Sequence, residues 1–511
     1  NKNINFNILI IISIFIFSSS AFSANEYYRS IATGNWNSPS TWQISLNSGG
    51  TWGASTSIPA DTSGVVTIQS PNTVSIPASL AFTTNTLVIN TGGILNINSA
   101  SSLRIKLSLN HFGTISGAGS IKTSGSPQFT LHNNTVFNAQ LVLDSGDVNI
   151  YNTDGGITAE IKGAITIGAT RNLNVNGGGY TLRAIGNVTN NGIITGSGSS
   201  FTMRGANFIN NGTISPSSFN FDSTTLLAGP GIWNGTNINI GATGIVNLND
   251  TVVFGSIFTV NVNVNGGTIT GANQFLLLNG TAAQVNFTVN AGGTVGTSNS
   301  TNVHTRGSVQ FLIRNSSFFN AALNVKTGTT SVYNDNSGIT AVFYGNILVD
   351  AASVLNVNGG GYTVQARGNV TNNGTITGGG SSFTTRGTFF TNSGTINPTN
   401  FNFDSTTTLF GSGIWSGANI SINASGNVLI GGNNIAFGSS NTLNFIINAG
   451  GILNPNTRTV TMKGTSGTVN FTLNANGTTF NSGIFQTQGT VNMNLRNSSY
   501  FNSPLKVNTG L

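Results

Sequence analysis

The feature that most constrains this chain is repetition at one fixed offset. HNNTVFN at positions 132–138 returns as RNSSFFN at 314–320 and as RNSSYFN at 496–502, each copy one 182-residue step after the last. LNVNGGGY begins at Leu173 and again at Leu355, and FNFDST begins at Phe219 and again at Phe401. GIW ends at Trp233 and again at Trp415. Matches this long at a single offset mean tandem duplication of a whole unit. A finer period lies inside the unit. Asn190-Asn191-Gly192 recurs one 20-residue step later as Asn210-Asn211-Gly212. Asn372-Asn373-Gly374 recurs at the same step as Asn392-Ser393-Gly394. Short β-prone runs such as Ile193-Ile194-Thr195 stand between these breaks, as one solenoid coil per period requires.

The pattern predicts an all-β chain: a right-handed, single-stranded parallel β-helix (a β-solenoid) with about 20 residues per coil. A lone coil exposes its apolar positions. Coils stacked about 4.8 Å apart bury them and pair the backbone along the axis. The chain beyond position 23 then makes about 24 coils and a rod of roughly 115 Å. Asn190 above Asn210 is the expected amide ladder. No stretch carries the 3.6-residue period of an amphipathic helix, and no blade-length signature points to a propeller.

Composition narrows the function. Only 6% of residues are charged, against about 25% in ordinary domains. The 67 glycines would suit disorder, but the 32 phenylalanines fall in short alternating runs that a core can bury. The net charge of +7 comes from 18 basic residues scattered over 511 positions, so no basic patch points to nucleic acid. The absence of cysteine excludes disulfides, thiolate metal sites and a thiol nucleophile. Gly177-Gly178-Gly179 and Gly359-Gly360-Gly361 precede Tyr and no helix, so they read as corner glycines and imply no phosphate-bearing cofactor.

Residues 1–23 read as a signal peptide. Lys2 supplies the positive start, residues 8–17 a short apolar run, and Ala21 and Ser23 the small residues before cleavage. That run is too short to span a bilayer, and no second long apolar run follows. The expectation is a secreted or cell-surface protein that is not integral to the membrane. A start at Asn1 and a stop inside a repeat point to a fragment, with any anchor or further domain lying outside it. Residues 24–80 hold Trp36, Trp42 and Trp52 with Pro39, Pro59 and Pro71. They read as a cap over the open sheet edge at the start of a solenoid spanning 81–511.

The run G-x-W-N…T-W…P-x-x-D…V-T-I…L-x-I-x-x-G-G-x-L, from Gly34 to Leu95, resembles the N-terminal region of large surface proteins of the Bacteroidetes group. The N-N-G-x-I coils resemble adhesin and haemagglutinin-like passenger β-helices. The resemblance implies placement at the cell surface, and in some members a C-terminal sorting domain.

The candidate site residues follow from the repeat. Under the 182-residue shift Asp144 becomes Lys326, Asp154 becomes Asn336 and Glu160 becomes Val342. Asp222 alone maps to an acid, Asp404, and Arg204 maps to Arg386. Each Arg precedes its Asp by an 18-residue interval, close to one coil, so the pair is either a ligand site on each unit or a bridge between coils. Trp233 and Trp415 offer sugar-stacking platforms or core packing. Asp144, Asp147, Asp154 and Glu160 form the best catalytic or calcium candidate, since lyases and hydrolases on β-helices need clustered acids; otherwise they line solvated loops. His111, His132 and His304 are too widely spaced for a metal motif. Two functions remain. One is a structural or adhesive rod that meets a surface polysaccharide or the surface of a host or neighbouring cell, its weak sites multiplied by repetition. The other is a carbohydrate-binding or polysaccharide-degrading β-helix.

Overall fold

Alternation sets the local structure. In Asn172–Val175 the side chains of Leu173 and Val175 are buried and those of Asn172 and Asn174 face outward, and the same in-out pattern recurs in strand after strand. The computed structural model describes residues 26–508, except 134, 153, 155–157, 177–178, 235–236, 256, 298–299, 315, 334–339, 358–362, 417–418, 439–440 and 481. The leader expected over 1–23 lies outside the described residues, as do Gly177, Gly178 and 359–361. Strands account for 63% of the described residues, wound as a parallel β-solenoid of about 20 turns with about 21 residues each. One turn of 3-10 helix, Pro39–Thr41, is the only helical element among the described residues.

Each coil has three sides. Face A takes Val188–Asn190, face B the first half of Ile193–Met203, and face C its second half; the chain is back on face A at Asn207–Asn210. The expected ladder forms there. Asn190 Nδ2 donates to Asn210 Oδ1 at 2.8 Å, and Asn372 Nδ2 to Asn392 Oδ1 at 2.9 Å, all four side chains being buried. Coil length is not uniform. Paired residues are 18 apart at Thr202 and Asn220, 20 apart at Asn190 and Asn210, and 26 apart at Asn444 and Asn470. The Asn-Asn-Gly signature marks only the tight coils; longer ones carry extra corner residues, as between Gly280 and Val285. There are accordingly fewer coils than a uniform 20-residue pitch predicts.

The repeat unit is not a whole number of coils. Face A descends from Asn190 through Asn210, Ala228, Leu248, Thr270, Val295, Phe319 and Phe343 to Ala366, eight coil steps. Asn372, the copy of Asn190, stands one face further on, in Val370–Asn372 on face B. The unit therefore takes eight and a third coils, and each unit is turned by one face relative to the one before. Trp233 lies on face B and Trp415 on face C.

The core tolerates this rotation because its packing is local. Phe201 stacks on Phe219 at 5.1 Å, and Phe383 on Phe401 at 5.4 Å, both pairs with 17° between the rings. At the tight corners successive backbones nearly touch. A Cβ on Gly212 would lie 1.9 Å from the Gly192 carbonyl oxygen, and one on Gly394 the same distance from that of Gly374, so only glycine fits.

The N-terminal segment departs from the parallel pattern. Tyr27–Ser30 pairs antiparallel with Trp42–Ser45, which pairs antiparallel with Gly53–Ala54. Tyr27–Ser30 also joins Val65–Ile68 in parallel, so coiling starts before the boundary expected at residue 80. Trp36 and Trp42 are fully buried, 5.2 Å apart, with their indole N–H groups donated to the carbonyls of Pro59 and Trp36. No described helix is long and apolar enough to cross a membrane.

Candidate functional site

The acids singled out above are held one by one. Arg104 donates to both carboxylate oxygens of Asp144, at 2.7 and 2.9 Å, and Lys122 adds an ion pair at 3.5 Å. The Arg104 guanidinium holds the Asp144 carboxyl below the usual carboxylate range. Asp147 accepts the backbone N–H of Asn172 at 2.9 Å. Asp154 pairs with His132 at 3.0 Å and accepts the N–H of Asn133 at 2.8 Å. Glu160 pairs with Arg183 at 2.6 Å across adjacent strands. These are partly exposed ladder contacts, each contributing about 0–1 kcal/mol. The acids share no site, whereas glycoside chemistry needs two carboxyls flanking one bond. Among the described residues no three His, Asp or Glu gather as a metal would require.

The Arg–Asp pairs are bridges between coils. Arg204 approaches Asp222 at 3.8 Å and Arg386 approaches Asp404 at 3.1 Å. The backbones beside them are joined as well, Asp222 N–H to Met203 and Asp404 N–H to Thr385. Asp404 also accepts the amide of Asn423. Trp233 and Trp415 are in the core, at 0% exposure. Trp233 meets Phe219 at 5.0 Å and 83°, and Trp415 meets Phe401 at 5.1 Å and 90°. Each occupies the second, inward position of a two-residue strand. With no ring face in solvent, neither can serve as a sugar platform, and the core-packing alternative holds.

The histidines serve packing too. His111 is wholly buried and edge-on to Phe137. Burial lowers its pKa to about 3, helped by nearby His132, so the ring is neutral near pH 7. Half-buried His304 packs on Phe275 at 4.5 Å; burial, with Lys326 and Arg306 alongside, lowers its pKa to about 4.

What the duplication does preserve is a groove. In the first unit Thr195, Gly196, Ser215, Pro216 and Ser217 line a cavity of about 600 Å³, extended by Asn234 and Phe258. In the second, Thr377, Gly378, Asn397, Pro398 and Thr399 line one of about 260 Å³, extended by Ser416 and Asn441. The floors are built alike. Ser217 Oγ accepts the N–H of Gly198 at 2.7 Å and donates to the carbonyl of Gly196 at 3.3 Å. Thr399 Oγ1 does the same with Gly380 and Gly378, at 2.7 and 3.2 Å. Pro216 and Pro398 sit in register with Gly196 and Gly378. A Cβ on either glycine would strike the carbonyl oxygen of Val175 or Val357. Among the described residues no charged side chain lines either groove. These residues look like ordinary turn residues in the sequence and come from four or five different coils. The one available signal is the survival of G-x-G and a lone proline under the 182-residue shift.

Comparison with models of known protein families, with curated proteins and with solved structures finds no match.

Proposed function

We propose that this chain is an exported rod with a structural or adhesive role, meeting a surface polysaccharide or the surface of another cell. The observation that carries the reading is that the duplicated features fall into two sets, a core that repeats and a neutral polar exterior that repeats with it. Outward Asn side chains form ladders along the rod. One runs through Asn400, Asn419, Asn444, Asn470 and Asn492, with amide bonds of 2.8–2.9 Å. The acidic residues are committed singly to neighbouring coils, which favours a scaffold over a catalyst. A solenoid gives such a protein reach, because about 20 coils at about 4.8 Å each extend roughly 95 Å.

The test is location together with capture. In cells producing the chain, protease added to intact cells removes it, or it is recovered from the medium, and beads coated with it retain cells or extracted surface polysaccharide. A chain that stays protected inside the cell overturns export. Coated beads that retain neither cells nor polysaccharide overturn adhesion.

A further inference from the structure

The geometry points to the groove over Pro216, and its copy over Pro398, as binding sites for a neutral oligosaccharide, with Phe258 as the stacking surface of the first. The inference rests on reading the chain as an adhesive rod, and it names the site and the ligand class.

Three observations converge. The first is chemical. The shared lining is hydroxyl, amide and backbone, with no charge. Such a wall offers donors and acceptors to sugar hydroxyls and no countercharge to a phosphate, a carboxylate or an ammonium group. Asn234, on the wall of the first groove, keeps a buried amide oxygen that accepts no hydrogen bond. The second is shape. The first groove runs along the axis from Asn174, through the coils of Thr195, Ser215 and Asn234, to Thr259. Four coil steps of about 4.8 Å make it roughly 19 Å long, a trough for a chain of several sugar rings. The third is the aromatic. Phe258 is 59% exposed at the rim, beside Ile257 at 69%. A large apolar ring held partly in water at the edge of a polar trough suits the C–H face of a sugar. The second unit has Asn441 and Thr442 at this rim.

The first groove is thus the stronger site and the second the weaker. The one-face rotation of the units sends them in different directions, the first between faces B and C and the second between C and A. One rod can hold two glycan chains that do not lie on a common surface.

The experiment uses the whole chain and four neutral hexasaccharides, of the cello, xylo, manno and malto series, with trigalacturonate as the anionic control. Binding is followed by calorimetry and by ligand-detected NMR. At least one neutral hexasaccharide binds. Phe258→Ala weakens it about fivefold, the scale of a single aromatic contact, and Asn441→Phe tightens the second site by a similar factor. Circular dichroism of both variants matches the parent, since both side chains lie at a groove rim. Failure of all four neutral probes overturns the proposal, as does tighter binding of trigalacturonate. Binding that neither variant changes places the ligand elsewhere and overturns it too. Beads that still capture cells while the hexasaccharides fail leave the adhesive reading standing and remove only the groove.

Discussion

The two grooves share a floor and differ at the rim. Ser217 and Thr399 make the same pair of hydrogen bonds to the same backbone positions, whereas Phe258 in one unit faces Asn441 in the other. The floor is constrained by coil stacking, because Gly196 and Gly378 lie against backbone that admits no side chain. The rim residues Phe258 and Asn441 are exposed and differ between the units. Duplication has therefore kept what stacking demands while the exposed rim has diverged, and a comparison of the units separates the two.

That separation can be broken most forcefully at the tight corners. Gly212→Ala and Gly394→Ala each force a Cβ within 1.9 Å of a carbonyl oxygen. Each should cost about 4 kcal/mol, seen as lost hydrogen-exchange protection in the coils on either side. Equal losses support a common corner geometry in the two units; a loss in one unit alone breaks the equivalence. Trp233→Ala and Trp415→Ala should each cost about 3–5 kcal/mol by opening a large cavity. Trp233→Phe and Trp415→Phe should cost much less, since each indole N–H is buried without an acceptor. A mild Trp→Ala effect in either unit, measured by the same exchange experiment, would show that its aromatic cluster is not structural.

The histidines sharpen the comparison in solution. His111 is neutral in the fold, with a pKa of about 3 against about 6.5 in the unfolded chain. Between those values the unfolded state binds the extra proton, so stability is complete above about pH 6.5 and falls as pH drops toward 3. His111→Leu should remove that slope in denaturant titrations, gaining about 3 kcal/mol relative to the parent at pH 4. His304, half-buried with a pKa of about 4, should add the same one-proton slope over the narrower window between about 6.5 and 4, and so a smaller total loss. A parent chain whose stability is flat from pH 7 to 4 would contradict both. The smallest effects belong to the coil bridges. Arg386→Ala should cost under about 1 kcal/mol and Arg204→Ala, with its longer 3.8 Å pair, about half that; both losses should vanish in about 1 M salt.

Much of the fold was legible because a coil repeats its own chemistry. Asn190 and Asn210, one tight coil apart and each followed by Asn-Gly, announce a stacked corner, and the amide bond between them is where the spacing puts it. Three things were hidden. The rotation of the unit depends on how many coils the repeat makes, and pairs that stand anywhere from 18 to 27 positions apart leave that number open. The burial of Trp233 and Trp415 turns on which side of a two-residue strand each occupies, too short a run for alternation to decide. The groove joins single residues from successive coils, so its neighbours along the axis lie a whole coil apart in the chain and no local motif records them. The acids were legible only as a list: Asp144 and Glu160 prove to be partners of Arg104 and Arg183, 40 and 23 positions away.

The extra third of a coil in each unit has a consequence for how such genes change length. Loss or gain of one unit keeps the same local packing across the junction, because equivalent residues of successive units stack alike, as Phe201 on Phe219 and Phe383 on Phe401 do. It nevertheless swings everything beyond the junction by a third of a turn about the axis. Copy number in this architecture acts as a dial on direction as well as on length, and three units must be added or removed together to restore the bearing of whatever the far end carries.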